Sequence, residues 1–371
     1  MKTGIQKTSY IVFGSLIAYN LFRVIANMFL SYKYGVSAQT DAYFISQALP
    51  AFLSAAIIAS VIGVYYIFVN RKESLVKFRY FLLTILIATA LIIISGFLFT
   101  ENYIKIFAYG FDEAATAVTA QLSDILIFSL LPIIIIFVIK LFLYKQNNAA
   151  LSSIELTLIF IGIITGLTLS DAESFKDIGY FILAAYTLTA VIYTAALIIN
   201  KNKEDKLISA VRVDRQELKK GIVRYAPIVV NLALFQIIFL VDRSAASTKG
   251  AGVMSELIYA QCVMGVILSL LTFILTTNFY SMQQNHSNKD RHSLYKSVTV
   301  LLVPMCLFLL CFACPVMMGL YERGLFTRQN AVESSHALVA YSIGIMPVAF
   351  KLMLDNVHFA ANDRTTPLLC S

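Results

Sequence analysis

The sequence predicts an all-α polytopic membrane protein: about ten transmembrane helices in two pseudo-repeated lobes, the second incomplete. Three observations carry this expectation. Apolar residues make up 59% of the 371 residues, charged residues only 13%, and the mean hydropathy is +0.77, values foreign to soluble domains. Apolar runs of roughly 20 or more residues recur along the chain, each long enough to cross a hydrocarbon core of about 30 Å as a helix. Finally, Gly110-Phe111 followed by Pro132 reappears as Gly324-Leu325-Phe326 followed by Pro347, at an offset of 326 − 111 = 215 residues. Helices are required because an open backbone finds no water in the bilayer core, and the runs lack the alternation of a barrel.

The same offset brings two further segments together. Gly35-Val36 leads through Asp41-Ala42-Tyr43 into an apolar run, and Gly252-Val253 leads through Ile258-Tyr259-Ala260 into another. A second unit of equal length has only 371 − 215 = 156 residues, so its last quarter is expected to be missing. The expected organisation is an N-terminal lobe over 1–200 (helices one to six), a cytoplasmic amphipathic linker over 201–222, and a truncated C-terminal lobe over 223–371 (helices seven to ten).

The first span, 8–31, is too long for a cleaved signal, carries Arg23 in its middle and lacks a small-residue cleavage site. Asn20, Arg23 and Asn27 fall at i, i+3 and i+7, one polar stripe along that helix. A mid-membrane Arg costs about 2.5 to 3.5 kcal/mol on insertion scales and faces a cavity or a partner. A guanidinium flanked by amides suits a phosphate or pyrophosphate, which it grips bidentately; the other reading of the stripe is an interhelical hydrogen-bond network. The second span, 42–69, has Asp41 at its start and contains Gln47 and Pro50. The third, 78–100, is an uninterrupted apolar run; the fourth, 122–144, holds Asp124, Pro132 and Lys140; the fifth, 150–170, holds Glu155; and the sixth, 178–199, closes the first lobe.

In the linker, Leu207-Ile208, Val211, Val213 and Glu217-Leu218-Lys219-Lys220 read as an amphipathic helix on the membrane surface, either a connector or a site for an anionic headgroup. The seventh span, 223–241, carries Asn231 and Gln236, and the eighth is 253–280. Under the repeat, helices one and two correspond to seven and eight, so Gln47 and Gln236 are expected to face the seam with the stripe. The ninth span, 297–321, contains Cys306, Cys311 and Cys314, which read as small core residues with no partner pair for a metal site. The tenth, 335–361, carries Pro347 and, four residues apart, Lys351 and Asp355, placed to neutralise each other. That pair is either structural or couples transport to H+ or Na+. Prolines within several of the spans allow bends.

The net charge of +8 invites a nucleic-acid reading, but the charges sort by loop. With the N-terminus inside, 19 Lys and Arg fall in inner segments and 7 in outer ones, Arg243 among the latter. The positive-inside rule then places both termini in the cytoplasm, and the basic excess is a topology signal. His286, His292, His336 and His358 have no ligand spacing, and the chain has no phosphate-binding glycine loop and no nucleophile elbow, so neither enzyme chemistry nor a cofactor is expected. Duplicated lobes with short loops are the build of secondary transporters, which hold substrate between the repeats.

Tyr34-Gly35-x-x-x-x-Thr40-Asp41-Ala42-Tyr43-Phe44, then Leu49-Pro50, resembles the start of helix two in the MurJ (MviN) family of lipid II flippases, within the multidrug/oligosaccharidyl-lipid/polysaccharide exporter superfamily. Further matches follow in family order: Gln236 with Asp242-Arg243-x-x-Ala246-Ser247, Tyr259-Ala260, Tyr321-Glu322-Arg323-Gly324-Leu325-Phe326-Thr327, and Ala361-Asn362-Asp363-Arg364-Thr365-Thr366-Pro367. The resemblance implies a V-shaped pair of lobes in a bacterial cytoplasmic membrane that carries an undecaprenyl-pyrophosphate-linked precursor between leaflets by alternating access. Members usually have fourteen helices, and this sequence would stop as the eleventh begins.

Several positions depart from the family pattern. Asn20 and Ala26 stand where its first helix carries two cavity arginines, Ser54 where an Arg follows the proline of helix two, and Tyr259-Ala260-Gln261-Cys262 where Tyr-Ala-Asp-Arg is usual. Arg23 is therefore expected to be the one cavity arginine. The residues expected to bind the lipid-linked oligosaccharide are Asn20, Arg23, Asn27, Asp41, Gln47, Ser54, Gln236 and Gln261. The alternatives are a cation-coupled drug antiporter of the same superfamily, which would want acidic cavity walls, and an inactive truncated paralogue.

Overall fold

The structure is a computed structural model that describes residues 2–70, 75–145, 151, 153–170, 175–199, 237–285, 288–360 and 366. Among them every regular element is helical. In chain order these are α1 (Lys2–Tyr34), α2 (Ala38–Asn70), α3 (Leu75–Leu98), α4 (Thr100–Phe107), α5 (Glu113–Leu126), a 3-10 turn at Ile127–Ser129, α6 (Leu130–Lys145), α7 (Glu155–Leu169), α8 (Phe175–Ile199), α9 (Val253–Asn285), α10 (Asn288–Tyr321) and α11 (Arg328–Ala360). A helical segment at 237–247 precedes α9. The expected linker over 201–222, with Asn231 and Gln236, lies outside the described residues.

Six helices among the described residues are long and apolar enough to cross a bilayer: Tyr10–Tyr34, Glu113–Lys140, Phe175–Ile199, Val253–Ile274, Val298–Tyr321 and Arg328–Asp355. Ile85–Leu98 joined to Thr100–Phe107 would make a seventh, broken by 82°, and Glu155–Leu169 is a shorter apolar helix. The third span, expected over 78–100, is thus followed by the further short helix α4. The fourth span also starts earlier than its apolar run, because Asp112 caps α5 by accepting the Ala115 N–H at 2.7 Å.

Prolines explain two interruptions inside spans. Pro132 has no N–H to give the Phe128 carbonyl, and the 3-10 turn sits at that point. In α10, Phe312 leaves the helical region at φ −118°, ψ 18°, three residues before Pro315.

The repeat recurs in three dimensions. α2 and α9 begin 253 − 38 = 215 residues apart, and α5 and α11 begin 328 − 113 = 215 apart. Helices α1, α2 and α5 to α8 pack on one another, α9 to α11 form a second group, and α1 and α2 meet α9 along a seam. One buried apolar cluster runs continuously from Ile163 and Ile178 on one side to Leu338 and Ile345 on the other. Leu91, Leu188, Val300 and Ile343 stand exposed on the outer flanks, where acyl chains rather than water are the solvent.

One end of the seam is closed by backbone approach. Gly35 (φ 60°) and Gly324 (φ 58°) occupy left-handed conformations there. A Cβ on Gly35 would lie 2.6 Å from the Leu325 carbonyl oxygen. The Leu325 N–H donates to Tyr32 O at 3.0 Å, and the Gly110 N–H donates to Ser247 Oγ at 3.1 Å. Beneath this layer Tyr259, fully buried, packs against Tyr321 and Phe326 with centroids 5.0 and 5.4 Å away, and donates its hydroxyl to Gly35 O at 3.3 Å.

Candidate functional site

Below the closed end the seam opens into a cavity of about 470 Å³. α1 contributes Arg23 and Asn27, α2 contributes Gln47, the 237–247 helix contributes Arg243, and α9 contributes Gln261 and Cys262. A second compartment of about 680 Å³ lies inside the first lobe, between α1, α2, α5, α6, α7 and α8. Phe44, Gln47, Ala51, Phe160 and Arg243 line both, so the two are joined.

Arg23 reaches the seam because α1 is apolar on either side of it and its polar stripe turns towards α9. Its Nη2 donates to Cys262 O at 2.8 Å, its Nη1 donates to Tyr19 OH at 3.2 Å, and its Cζ sits 5.4 Å over the Tyr19 ring. Its Nε is buried with no hydrogen-bond partner. Among the described residues no carboxylate pairs with it, so its charge is available to the cavity. Gly265 makes room for it: a Cβ there would lie 2.7 Å from Nη2.

The remaining expected site residues divide. Asn27 lines the cavity and donates to Arg23 O at 2.9 Å and to Cys262 Sγ at 3.5 Å. Asn20 does not line it; its amide donates to Leu16 O at 2.9 Å and to Ser269 Oγ at 2.8 Å, tying α1 to α9. All three stripe residues thus hydrogen-bond across to α9, and Arg23 and Asn27 also line the cavity. Gln47 borders both compartments, and Ser54 borders the inner one while donating to Ala51 O at 2.9 Å. Gln261 lines the seam, and its Nε2 donates to Tyr341 OH at 2.7 Å, which donates to Asp242 Oδ2 at 3.0 Å.

Asp41 lies elsewhere. It is buried at the closed end, where Oδ2 accepts the Gly252 N–H at 2.6 Å and Oδ1 accepts the Ser255 N–H at 2.7 Å and the Ser255 hydroxyl. The carboxylate caps the first turn of α9 across the seam, and both oxygens are occupied by those donors. Lys351 and Asp355 pair at 2.7 Å on α11 and line neither compartment, although Val348 and Leu352 of the same helix line the seam cavity.

Arg243 corrects the expectation of a single cavity arginine. The charge count assigned it to a loop; it lies on a helix, borders both compartments and has a buried Nε without a partner. The signal was the Asp242-Arg243 pair inside the last turn of an apolar run, where a loop residue and a cavity residue look alike in sequence. Lys140 and Glu155, noted separately along the chain, form an ion pair that lines the inner compartment. The seam compartment has no Asp or Glu among its described lining residues, whereas the inner one holds that cancelled pair.

The family model described as "Lipid II flippase MurJ" matches residues 30–371. The "Probable lipid II flippase MurJ" of Thermotoga maritima is 24% identical over 388 residues, covering 100% of this chain and 77% of that protein. Its counterpart from Aquifex aeolicus is 23% identical over 362 residues, covering 94% and 70%. Of solved structures, "Lipid II flippase MurJ, inward closed conformation" superposes with a TM-score of 0.83 at 20% identity, over 98% of this chain and 77% of that one. An "Inward-facing conformation of a multidrug resistance MATE family transporter of the MOP superfamily" superposes at 0.72 with 13% identity, over 97% and 86%. The structural matches establish the shared fold, and because the family model takes in nearly the whole sequence, the chain belongs to the lipid II flippase MurJ family.

Proposed function

We propose that this chain moves an undecaprenyl-pyrophosphate-linked cell-wall or polysaccharide precursor across the bacterial cytoplasmic membrane by alternating access of lobes 1–200 and 223–371. The observation that carries this is the Arg23 guanidinium at the seam, bordering a 470 Å³ cavity with no carboxylate against it. Arg243, whose charge the neighbouring Asp242 partly offsets, adds to it, and a diphosphate there gains charge-assisted contacts of about 1.5 to 3 kcal/mol each. The names of the relatives, lipid II flippases, support the same class of cargo. A cationic drug is disfavoured by those two arginines and by the lack of acidic side chains among the described lining residues.

In this proposal both termini are cytoplasmic, so the end bearing Gly35 and Gly324 faces outward and its closure leaves the cavity for loading from inside. A coupling cation, H+ or Na+, belongs to the proposal, with Lys351 and Asp355 as its candidate groups. The test is flipping of defined lipid-linked sugars in reconstituted vesicles, comparing lipid II with a carrier bearing a shorter glycan. Movement of neither above protein-free vesicles would sink the proposal.

A further inference from the structure

The short helix α4 cannot cross a bilayer: its 8 residues rise about 12 Å in all. It turns by 82° from the apolar helix before it, and a span tilted by about 20° from the membrane normal leaves such a helix close to the membrane plane. It sits at the closed end of the seam, because the turn that follows it carries Gly110, whose N–H donates to Ser247 Oγ.

The side chains of α4 sort into three sectors around its axis. Thr100, Ile104 and Phe107 form the buried one. Phe107 packs on Phe52 with ring centroids 5.9 Å apart, and the Thr100 hydroxyl donates to Asp124 Oδ1 at 2.6 Å, so this face is fixed to the lobe. Glu101 and Lys105, four residues apart and opposite in charge, are exposed on one flank, where they suit water. On the other flank Ile106 is 65% exposed, and Phe99, seven residues earlier, is 54% exposed.

The neighbouring span identifies the solvent of that apolar flank. On α3, Ile87, Leu91, Ile94 and Leu98 are exposed at i, i+4, i+7 and i+11, a stripe that faces acyl chains. Leu98 ends the stripe and Phe99 follows it, so the acyl boundary continues round the 82° turn onto α4. Glu101 and Lys105 are the charged residues of α4 and cancel, which leaves no net charge there to attract an anionic headgroup.

From this division we infer that α4 is a lipid-docking surface: an in-plane helix whose Phe99 and Ile106 flank seats in the leaflet at the closed end, where headgroups give way to acyl chains. Its partner is phospholipid, neutral or anionic alike, held by apolar area.

The chain contains no Trp, so a single substitution supplies a unique fluorophore. The test places Ile106→Trp and, separately, Glu101→Trp in nanodiscs of phosphatidylcholine brominated either near the headgroup or near the methyl end of the acyl chain. Ile106→Trp should be quenched about twofold more by the shallow bromines than by the deep ones, and Glu101→Trp by neither to any comparable degree. Replacing part of the lipid with phosphatidylglycerol should leave this pattern unchanged. Should Ile106→Trp lose the thermal transition of the unsubstituted chain, Phe99→Trp takes its place and decides. Equal quenching at 101 and 106, or stronger quenching of Ile106→Trp by the deep bromines, overturns the in-plane seat. Quenching that depends on the anionic lipid overturns docking by apolar area.

Discussion

Phe44 and Tyr259 stand 215 positions apart, the offset of the internal repeat, and their rings meet edge to face across the seam with centroids 5.7 Å apart. A residue that touches its own pseudo-equivalent lies close to the axis relating the two halves. The contact therefore sits near the pivot about which the lobes would rock, directly under the backbone approaches of Gly35 and Leu325. Removing the Tyr259 ring deletes contacts to Phe44, Tyr321 and Phe326 at once. Tyr259→Ala is expected to cost about 3 to 5 kcal/mol, the range for large-to-small changes in a packed core. Tyr259→Phe, which keeps the ring and loses the hydrogen bond to Gly35 O, should cost about 0.5 to 1.5 kcal/mol. Thermal unfolding in detergent measures both; equal loss in the two variants would show that packing at this point is not what holds the end closed.

Asp41 offers a cleaner probe of closure because it joins the lobes without filling the core. Its carboxylate accepts from Gly252, at the start of α9, and from Ser255 in its first turn. Asp41→Ala leaves those donors without acceptors and removes a negative charge from a helix N-terminus, weakening the closed end by about 1.5 to 3 kcal/mol. Cys262 reports the consequence, since its thiol is buried and free and borders the seam cavity. In a background of Cys306→Ser, Cys311→Ser, Cys314→Ser and Cys370→Ser, a membrane-impermeant maleimide added outside should label Cys262 faster in Asp41→Ala than with Asp41 present. Unchanged labelling would mean that the cap does not hold the gate.

Gly35 tests the same end through sterics. It combines a left-handed φ of 60° with a Cβ position only 2.6 Å from a backbone carbonyl oxygen, so no side-chain rearrangement can relieve the clash. Gly35→Ala should cost about 1 to 2 kcal/mol in backbone conformation alone and should raise Cys262 labelling as well. A labelling rate identical to that of the glycine protein would place the closing contacts elsewhere.

Transport itself is expected to follow the Arg23 guanidinium. Arg23→Ala should abolish flipping, and Arg23→Lys should weaken it roughly ten- to hundredfold, because an ammonium keeps the charge but not the planar fork. Gly265→Ala should act like a mild form of the same lesion, since its Cβ would occupy space 2.7 Å from Nη2 and push the guanidinium off the Cys262 carbonyl. Equal flipping in all of these proteins would remove the anionic-cargo idea.

Much of this was legible in the sequence, and the physics says which part. Arg23 is conspicuous because a charge inside an apolar run must find a cavity or a partner. The repeat was legible because turn glycines and helix-breaking prolines keep their spacing when lobes are duplicated. The partners of Asp41 were not, since it reads as a first-turn acid of α2 and its donors lie more than 200 residues away on α9. Arg243 was misassigned for a related reason: burial at a lobe seam depends on how the two halves meet, which local hydropathy does not encode. The 82° turn between α3 and α4 left no proline or glycine at Phe99 to announce it.

Lys140 and Glu155 are expected to stabilise the first lobe as a pair. Its side chains are 22% and 9% exposed, so each ion is mostly removed from solvent and depends on the other. Breaking such a pair by one substitution typically costs about 3 to 5 kcal/mol, because the surviving charge is left buried and unpaired. Lys140→Met or Glu155→Met alone should fall near the lower end of that range, given the partial exposure of the lysine. The double change to Met at both positions replaces the pair with apolar volume and should cost much less than the sum of the single changes, a coupling of about 2 kcal/mol or more in a double-mutant cycle. Thermal unfolding of the four proteins tests this, and additive losses would mean that the two residues stabilise the lobe independently rather than as a pair.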